Sequence, residues 1–151
     1  MAFTFARLSL KDLKEILVLN APSSFNVILD TLPGVKIHRD ASNLKQTDFV
    51  LAFVAKRDEI ERTTRTIVKK AHGDAVVWFA YPKGTSKNYT CDFNRDTGWD
   101  GLGKAGFERV SQVAIDDDWS ALRFRRVEFI KSMIRRESFA MTKQGKAKTR
   151  R

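Results

Sequence analysis

Hydrophobic positions along this chain follow two alternating rhythms. Short apolar runs of strand length recur, and between them apolar residues fall three or four apart, as on one face of a helix. Residues 15–19 (E-I-L-V-L) form a run of the first kind and read as a buried strand that ends at Asn20-Ala21-Pro22. Ser23 or Ser24 can cap a helix carrying Phe25, Ile28, Leu29 and Leu32 on one face, stopped by Pro33-Gly34. Residues 35–39 read as a second, shorter strand. Residues 48–55 are apolar on both faces, as a central parallel strand should be. Asp58 begins a helix with Ile60, Ile67, Val68 and Ala71 at helical spacing, and Gly73 is its expected end. Residues 75–81 are the fourth strand. A glycine-broken helix follows over roughly 97–105, with Gly106 as its C-cap. Residues 110–116 and 121–127 read as two strands close enough to pair antiparallel.

Strands alternating with helices predict an α/β domain with a mostly parallel sheet of about five to six strands. Both faces are covered, and the sheet ends in an antiparallel hairpin. Residues 40–47 are too short for a full helical crossover, which sends the second strand toward an edge and leaves its pairing open. Residues 1–14 read as an N-terminal arm, an edge strand or a turn. After the hairpin, Phe129, Ile130, Met133 and Ile134 fall at helical spacing among Lys131, Arg135 and Arg136. They suit a final helix docked on the sheet or a basic amphipathic helix on a membrane or nucleic acid.

A chain of 151 residues fits one domain with a substantial core. The expected division is a folded domain over 1–139 and a basic tail over 140–151. No apolar run approaches a membrane span, the first residues alternate rather than forming a signal-peptide core, and Cys91 is the only cysteine. A cytoplasmic protein is expected. From Arg123 onward eleven Lys/Arg face two Asp/Glu, so that end carries +9 of the net +10. Lys143, Lys146, Lys148, Arg150 and Arg151 could therefore bind a nucleic acid, or simply form a solvated terminus.

The densest polar stretch is C-D-F-N-R-D-T-G-W-D-G, residues 91–101, beyond the fourth strand. Ligands of open α/β sheets sit outside the C-terminal ends of strands. Lys83 and Lys87 offer ammonium groups there, and Arg95 could clamp an anion bidentately or pair with Asp92. Asp96 or Thr97 can cap the next helix, with Asp100 completing a capping box, and Trp99 suits the core. That leaves Lys83, Lys87, Asp92, Asn94 and Arg95 as the candidate ligand-binding set. Cys91 is expected to feel Lys87 or Arg95 as a lowering of its pKa. Adjacent carboxylates at Asp116, Asp117 and Asp118 point to opposite faces of a strand, so a turn acid balancing Arg123 and Arg125 is expected rather than a metal site. His38 and His72 show no ligand spacing with Cys91, and no metal or catalytic set is expected.

D-F-V-L-A-F-V (from Asp48), G-D-A-V-V-W-F-A-Y-P-K (from Gly73) and V-S-Q-V-A-I-D-D-D-W-S-A-L-R-F-R (from Val110) resemble the fourth strand, the fifth strand and the closing hairpin of the class I methyltransferase fold. V-W-F-A-Y-P-K and D-W-S-A-L-R also resemble an uncharacterised bacterial family of short Rossmann-like proteins, known only as a domain of unknown function. Both resemblances imply a single Rossmann-like, three-layer domain. The first implies S-adenosylmethionine, with Asp40 at the position of a ribose-binding carboxylate. However, the loop after the first strand, Asn20-Ala21-Pro22-Ser23-Ser24, lacks the glycines that let a backbone approach such a cofactor, so no cofactor is expected. The leading functional expectation is a non-catalytic binding or regulatory module for an anionic or nucleotide-like small molecule. The alternatives are nucleic-acid binding through the basic end and a reduced methyltransferase-like transferase, with Asp92 or Asp116 near the reacting group.

Overall fold

Apolar runs become the strands of one six-stranded sheet, ordered β2-β1-β3-β4-β6-β5, in a computed structural model that describes residue 8 and residues 13–32, 34–94 and 96–130. β1 (Glu15–Leu19), β2 (Lys36–His38), β3 (Thr47–Phe53) and β4 (Ala71–Pro82) run parallel. β5 (Phe107–Ala114) and β6 (Trp119–Arg126) form the antiparallel hairpin, and it is β6 that pairs with β4. β2 is the outermost strand on the parallel side, held to β1 by Ile16 opposite Ile37. This settles the pairing that the short crossover left open.

The period of two divides the buried residues into two clusters, one per face. On one face Leu17, Val50, Val77, Phe79 and Phe124 pack against Ile60 and Ile67 of α2 (Arg57–Lys70) and Leu102 of α3 (Asp100–Lys104). On the other, Ile16, Val18, Leu51, Trp78 and Ala80 pack against Phe25 and Leu29 of α1 (Ser23–Leu29) and against Leu8. The Trp78 indole donates to the Leu8 carbonyl at 2.8 Å. The result is a three-layer, Rossmann-like α/β domain, as the alternating pattern predicts. Among the described residues, no helix is long and apolar enough to cross a membrane.

Several boundaries differ from expectation, for local reasons. α1 begins after Pro22 with no side-chain cap from Ser23 or Ser24, and it ends at Leu29, short of Pro33-Gly34. α2 stops at Lys70 and β4 starts at the next residue, so Gly73 lies within the strand rather than at a helix end. There it adopts φ 57°, and the register jumps from Thr47↔Ala71 to Phe49↔Val76. Arg126 donates to the carbonyls of Ala71 and Gly73 at 2.7 and 2.8 Å, satisfying groups the irregular pairing would leave bare. Arg125 grips Asp74 bidentately at 2.6 and 2.7 Å, so its partner is this bulge and not the expected turn acid. α3 is capped by Trp99 without a side-chain bond, so neither Asp96 nor Thr97 caps it and no capping box forms with Asp100. Gly106, at φ 93°, does follow its last turn. Phe129 closes a short 3-10 turn, Val127–Phe129, and the remainder of the expected final helix lies outside the described residues.

Candidate functional site

The loop leaving β4 is held down along its length. Asp118 accepts from the Ser86 hydroxyl at 2.8 Å and from the Asn88 amide at 3.2 Å, and its carbonyl accepts the Lys83 N–H at 2.7 Å. The Tyr89 ring rests on Trp119 with centroids 4.9 Å apart. Asp92 is tied twice to the start of α2. Its N–H donates to the Ala55 carbonyl, and its Oδ1 accepts the Arg57 N–H at 2.9 Å, which is one of the unpaired amides of that helix end. Asn94 builds a tight turn. Its Oδ1 accepts from the Asp96 N–H at 2.8 Å and the Thr97 hydroxyl at 3.2 Å, and its carbonyl accepts the Trp99 indole at 2.9 Å. Trp99 is buried among Phe79, Tyr81, Phe93 and Phe124, as expected.

Of the candidate set, then, Asp92 and Asn94 hold the loop to the fold and to itself. Lys83 is half-buried and Lys87 exposed. Arg95 lies outside the described residues, as do Lys143, Lys146, Lys148, Arg150 and Arg151. Half-burial raises the Cys91 pKa, helped by the negative charges of Asp92 and Glu59 and opposed by a backbone bond at Phe93. This reverses the expected lowering by Lys87 or Arg95. Asp40 is exposed, and a hydrogen bond from the Ser42 N–H, at 2.9 Å, holds its carboxyl below the usual range. Asp116 Oδ1 accepts the N–H groups of Asp118 and Trp119, the signature of a turn acid.

A cleft opens elsewhere along the same edge of the sheet. The chain leaves β1 toward β2 and returns on the other side as β3, so strand order switches between β1 and β3. Just there, Leu19 and Asn20 at the end of β1 face Glu59, Arg62, Thr63 and Thr66 of α2 across a cleft of about 250 Å³. Asn20 takes the left-handed conformation, φ 59°, which turns the chain sharply off the strand and which asparagine tolerates better than most residues. Glu59 Oε1 accepts the N–H groups of Ala55 and Lys56 at 2.9 and 3.0 Å, fixing the carboxylate at the mouth of the helix. Thr63 is 6% exposed. Its neighbour Thr64 donates to the Ile60 carbonyl, whereas the Thr63 hydroxyl has no hydrogen-bond partner among the described residues. Arg62 stands at the rim, 3.5 Å from Asp58.

Sequence reasoning missed this cleft. Its one trace is the pair Thr63-Thr64 interrupting the buried stripe between Ile60 and Ile67 of α2.

No protein-family model and no curated protein matches the chain. Solved structures do. Methanococcus jannaschii fibrillarin, a pre-rRNA processing protein, is 14% identical with a TM-score of 0.51, over 77% of this chain and 67% of that one. The pyocyanin biosynthetic protein PhzM is 11% identical with a TM-score of 0.52, over 78% of this chain and 52% of the other. Haemonchus contortus phosphoethanolamine N-methyltransferase 2, in complex with S-adenosylhomocysteine, is 8% identical with a TM-score of 0.51; this chain aligns over 78% of its length and spans 34% of that enzyme. These likenesses define the fold as methyltransferase-like, in agreement with the resemblance of β3, β4 and the hairpin. The resemblance to the short bacterial family rests on its sequence segments alone.

Proposed function

We propose that the chain is a binding module on a methyltransferase-like fold, taking a nucleotide-like or sugar-phosphate ligand in the cleft between β1 and α2. One observation carries this reading. The cleft coincides with the switch in strand order, where open α/β sheets receive their ligands. Arg62 adds the charge an anionic ligand needs. Its only ion pair among the described residues is an exposed one with Asp58, which contributes little and competes weakly with a phosphate. The reading is non-catalytic: Glu59 is the single carboxylate among the described residues lining the cleft, and one of its two oxygens serves as a helix cap.

A methyltransferase-like transferase is the second reading, and the Haemonchus enzyme with its S-adenosylhomocysteine supports it. It requires S-adenosylmethionine to bind over Asn20-Ala21-Pro22 without a glycine loop. An NMR titration separates the two, using adenosine monophosphate, ribose 5-phosphate, inorganic phosphate and S-adenosylmethionine. A binding module shifts the amides of Leu19, Asn20 and Thr63 with adenosine monophosphate or ribose 5-phosphate. Tighter binding of S-adenosylmethionine favours the transferase, and silence from all four probes sinks both readings. Charge reversal at Lys83 and Lys87 leaves binding unchanged if the ligand lies in the cleft, and abolishes it if the ligand lies on the loop.

A further inference from the structure

The lining of the β1–α2 cleft is selective in the hydrogen bonds it offers. A phosphate only accepts hydrogen bonds and an ammonium only donates them; a hydroxyl does both. Glu59 can only accept. Its Oε1 is occupied by two backbone amides, while Oε2 has no hydrogen-bond partner among the described residues and belongs to a side chain that lines the cleft. Thr63 donates and accepts, and its hydroxyl is unpartnered although the residue is 94% buried. The Thr63 oxygen is not one of the sealed polar atoms left without a partner, so solvent reaches it from the cleft and a ligand hydroxyl can take the place of that water. Asn20 adds an amide that both donates and accepts, while the Thr66 hydroxyl donates to the Arg62 carbonyl at 3.4 Å and is left as an acceptor.

Resting on the binding reading above, we propose that this cleft is a vicinal-diol subsite, for the ribose of a nucleotide or the ring of a sugar phosphate. Glu59 Oε2 accepts from one hydroxyl and Thr63 Oγ1 bonds the other. Size agrees. At about 250 Å³ the cleft falls below the ~300–1,000 Å³ of sites that engulf a drug-sized ligand, so it suits a sugar ring with the rest of the molecule projecting out past Arg62. Asp40, the carboxylate at the end of β2, is exposed and does not line the cleft. The diol acceptor therefore comes from α2, and its orientation is set before any ligand arrives, because two amides already hold the other oxygen.

That double use of Glu59 permits a clean test. In Glu59→Gln the side-chain carbonyl still caps Ala55 and Lys56, while an NH2 donor replaces the acceptor that faces the ligand. Thr63→Val removes the hydroxyl at nearly constant shape. Calorimetry on the full chain with adenosine monophosphate and its 2′-deoxy counterpart, alongside thermal melts, is the experiment. The wild type should bind adenosine monophosphate about tenfold or more tightly than the deoxy form. Glu59→Gln should erase that preference with an unchanged melting temperature, and Thr63→Val should weaken adenosine monophosphate binding similarly. If the wild type binds both nucleotides equally, or both variants keep the preference, the diol assignment is overturned while the binding reading stands. If adenosine monophosphate and ribose 5-phosphate both fail to bind the wild type, the binding reading falls and takes this one with it.

Discussion

Cys91 and Gly98 show how strongly the post-β4 loop is shaped by what it covers. Burial and neighbouring carboxylates favour the neutral thiol of Cys91 in the folded chain. Because its folded pKa is raised, its contribution to stability is complete below the ordinary thiol value and is lost as pH rises through the folded one. Alkylation by iodoacetamide should therefore be slower on the native protein than on the urea-unfolded chain at pH 8 to 9. Equal rates would contradict the shift. Gly98 has φ 92°, and a Cβ there would sit 3.0 Å from the Phe93 Cβ. Gly98→Ala should destabilise by about 1–3 kcal/mol, measured by urea denaturation. Polar residues in this loop stand out in the sequence, but their partners do not. Asp92 meets an amide 35 residues away, a distance no local pattern encodes. Thr63 and Thr66 were unreadable as site residues for a related reason. Their importance depends on β1 lying beside β3, which is a fact of topology.

Among the elements, β4 departs furthest from its pattern. Its apolar stretch was legible, whereas its first residues, A-H-G-D, look like a helix end and a turn. Two arginines from β6 convert them into strand. Arg126 donates to two backbone carbonyls, and Arg125 pairs with an aspartate that is about one-third exposed. Solvent and salt screen the second arrangement, so it contributes at most about 1 kcal/mol. Losing the first leaves carbonyls without donors. Arg126→Ala should therefore lower stability more than Arg125→Ala does. Only the Arg125→Ala deficit should shrink in high salt, as read by urea melts at two salt concentrations. An equal, salt-independent loss for both would contradict this division.

For the whole molecule, strand number, layering and the closing hairpin all followed from periodicity, because burying alternate faces dictates them. The position of Leu8 did not. Leu8 is fully buried in the same cluster as Phe25 and Leu29 of α1, and its carbonyl satisfies the indole of Trp78. Leu8→Ala should cost about 2–5 kcal/mol if the site cannot collapse, with no change in the hydrogen bond, whose acceptor is main chain. Thermal denaturation measures the loss. A cost under about 1 kcal/mol would mean that Leu8 covers the sheet without bracing it.

The bond from Arg57 to Asp92 also has a consequence in time. α2 can wind as soon as its own residues are made, yet its first turn is finished only when β4 has been laid down and the loop has come back over it. Closing that 35-residue gap is an ordering cost met late on the route to the native state. Removing the carboxylate should then hasten departure from the native state without delaying arrival. In a stopped-flow chevron, Asp92→Ala should raise the unfolding rate several-fold and leave the refolding arm in place. A slowed refolding arm would instead put this contact in the folding nucleus.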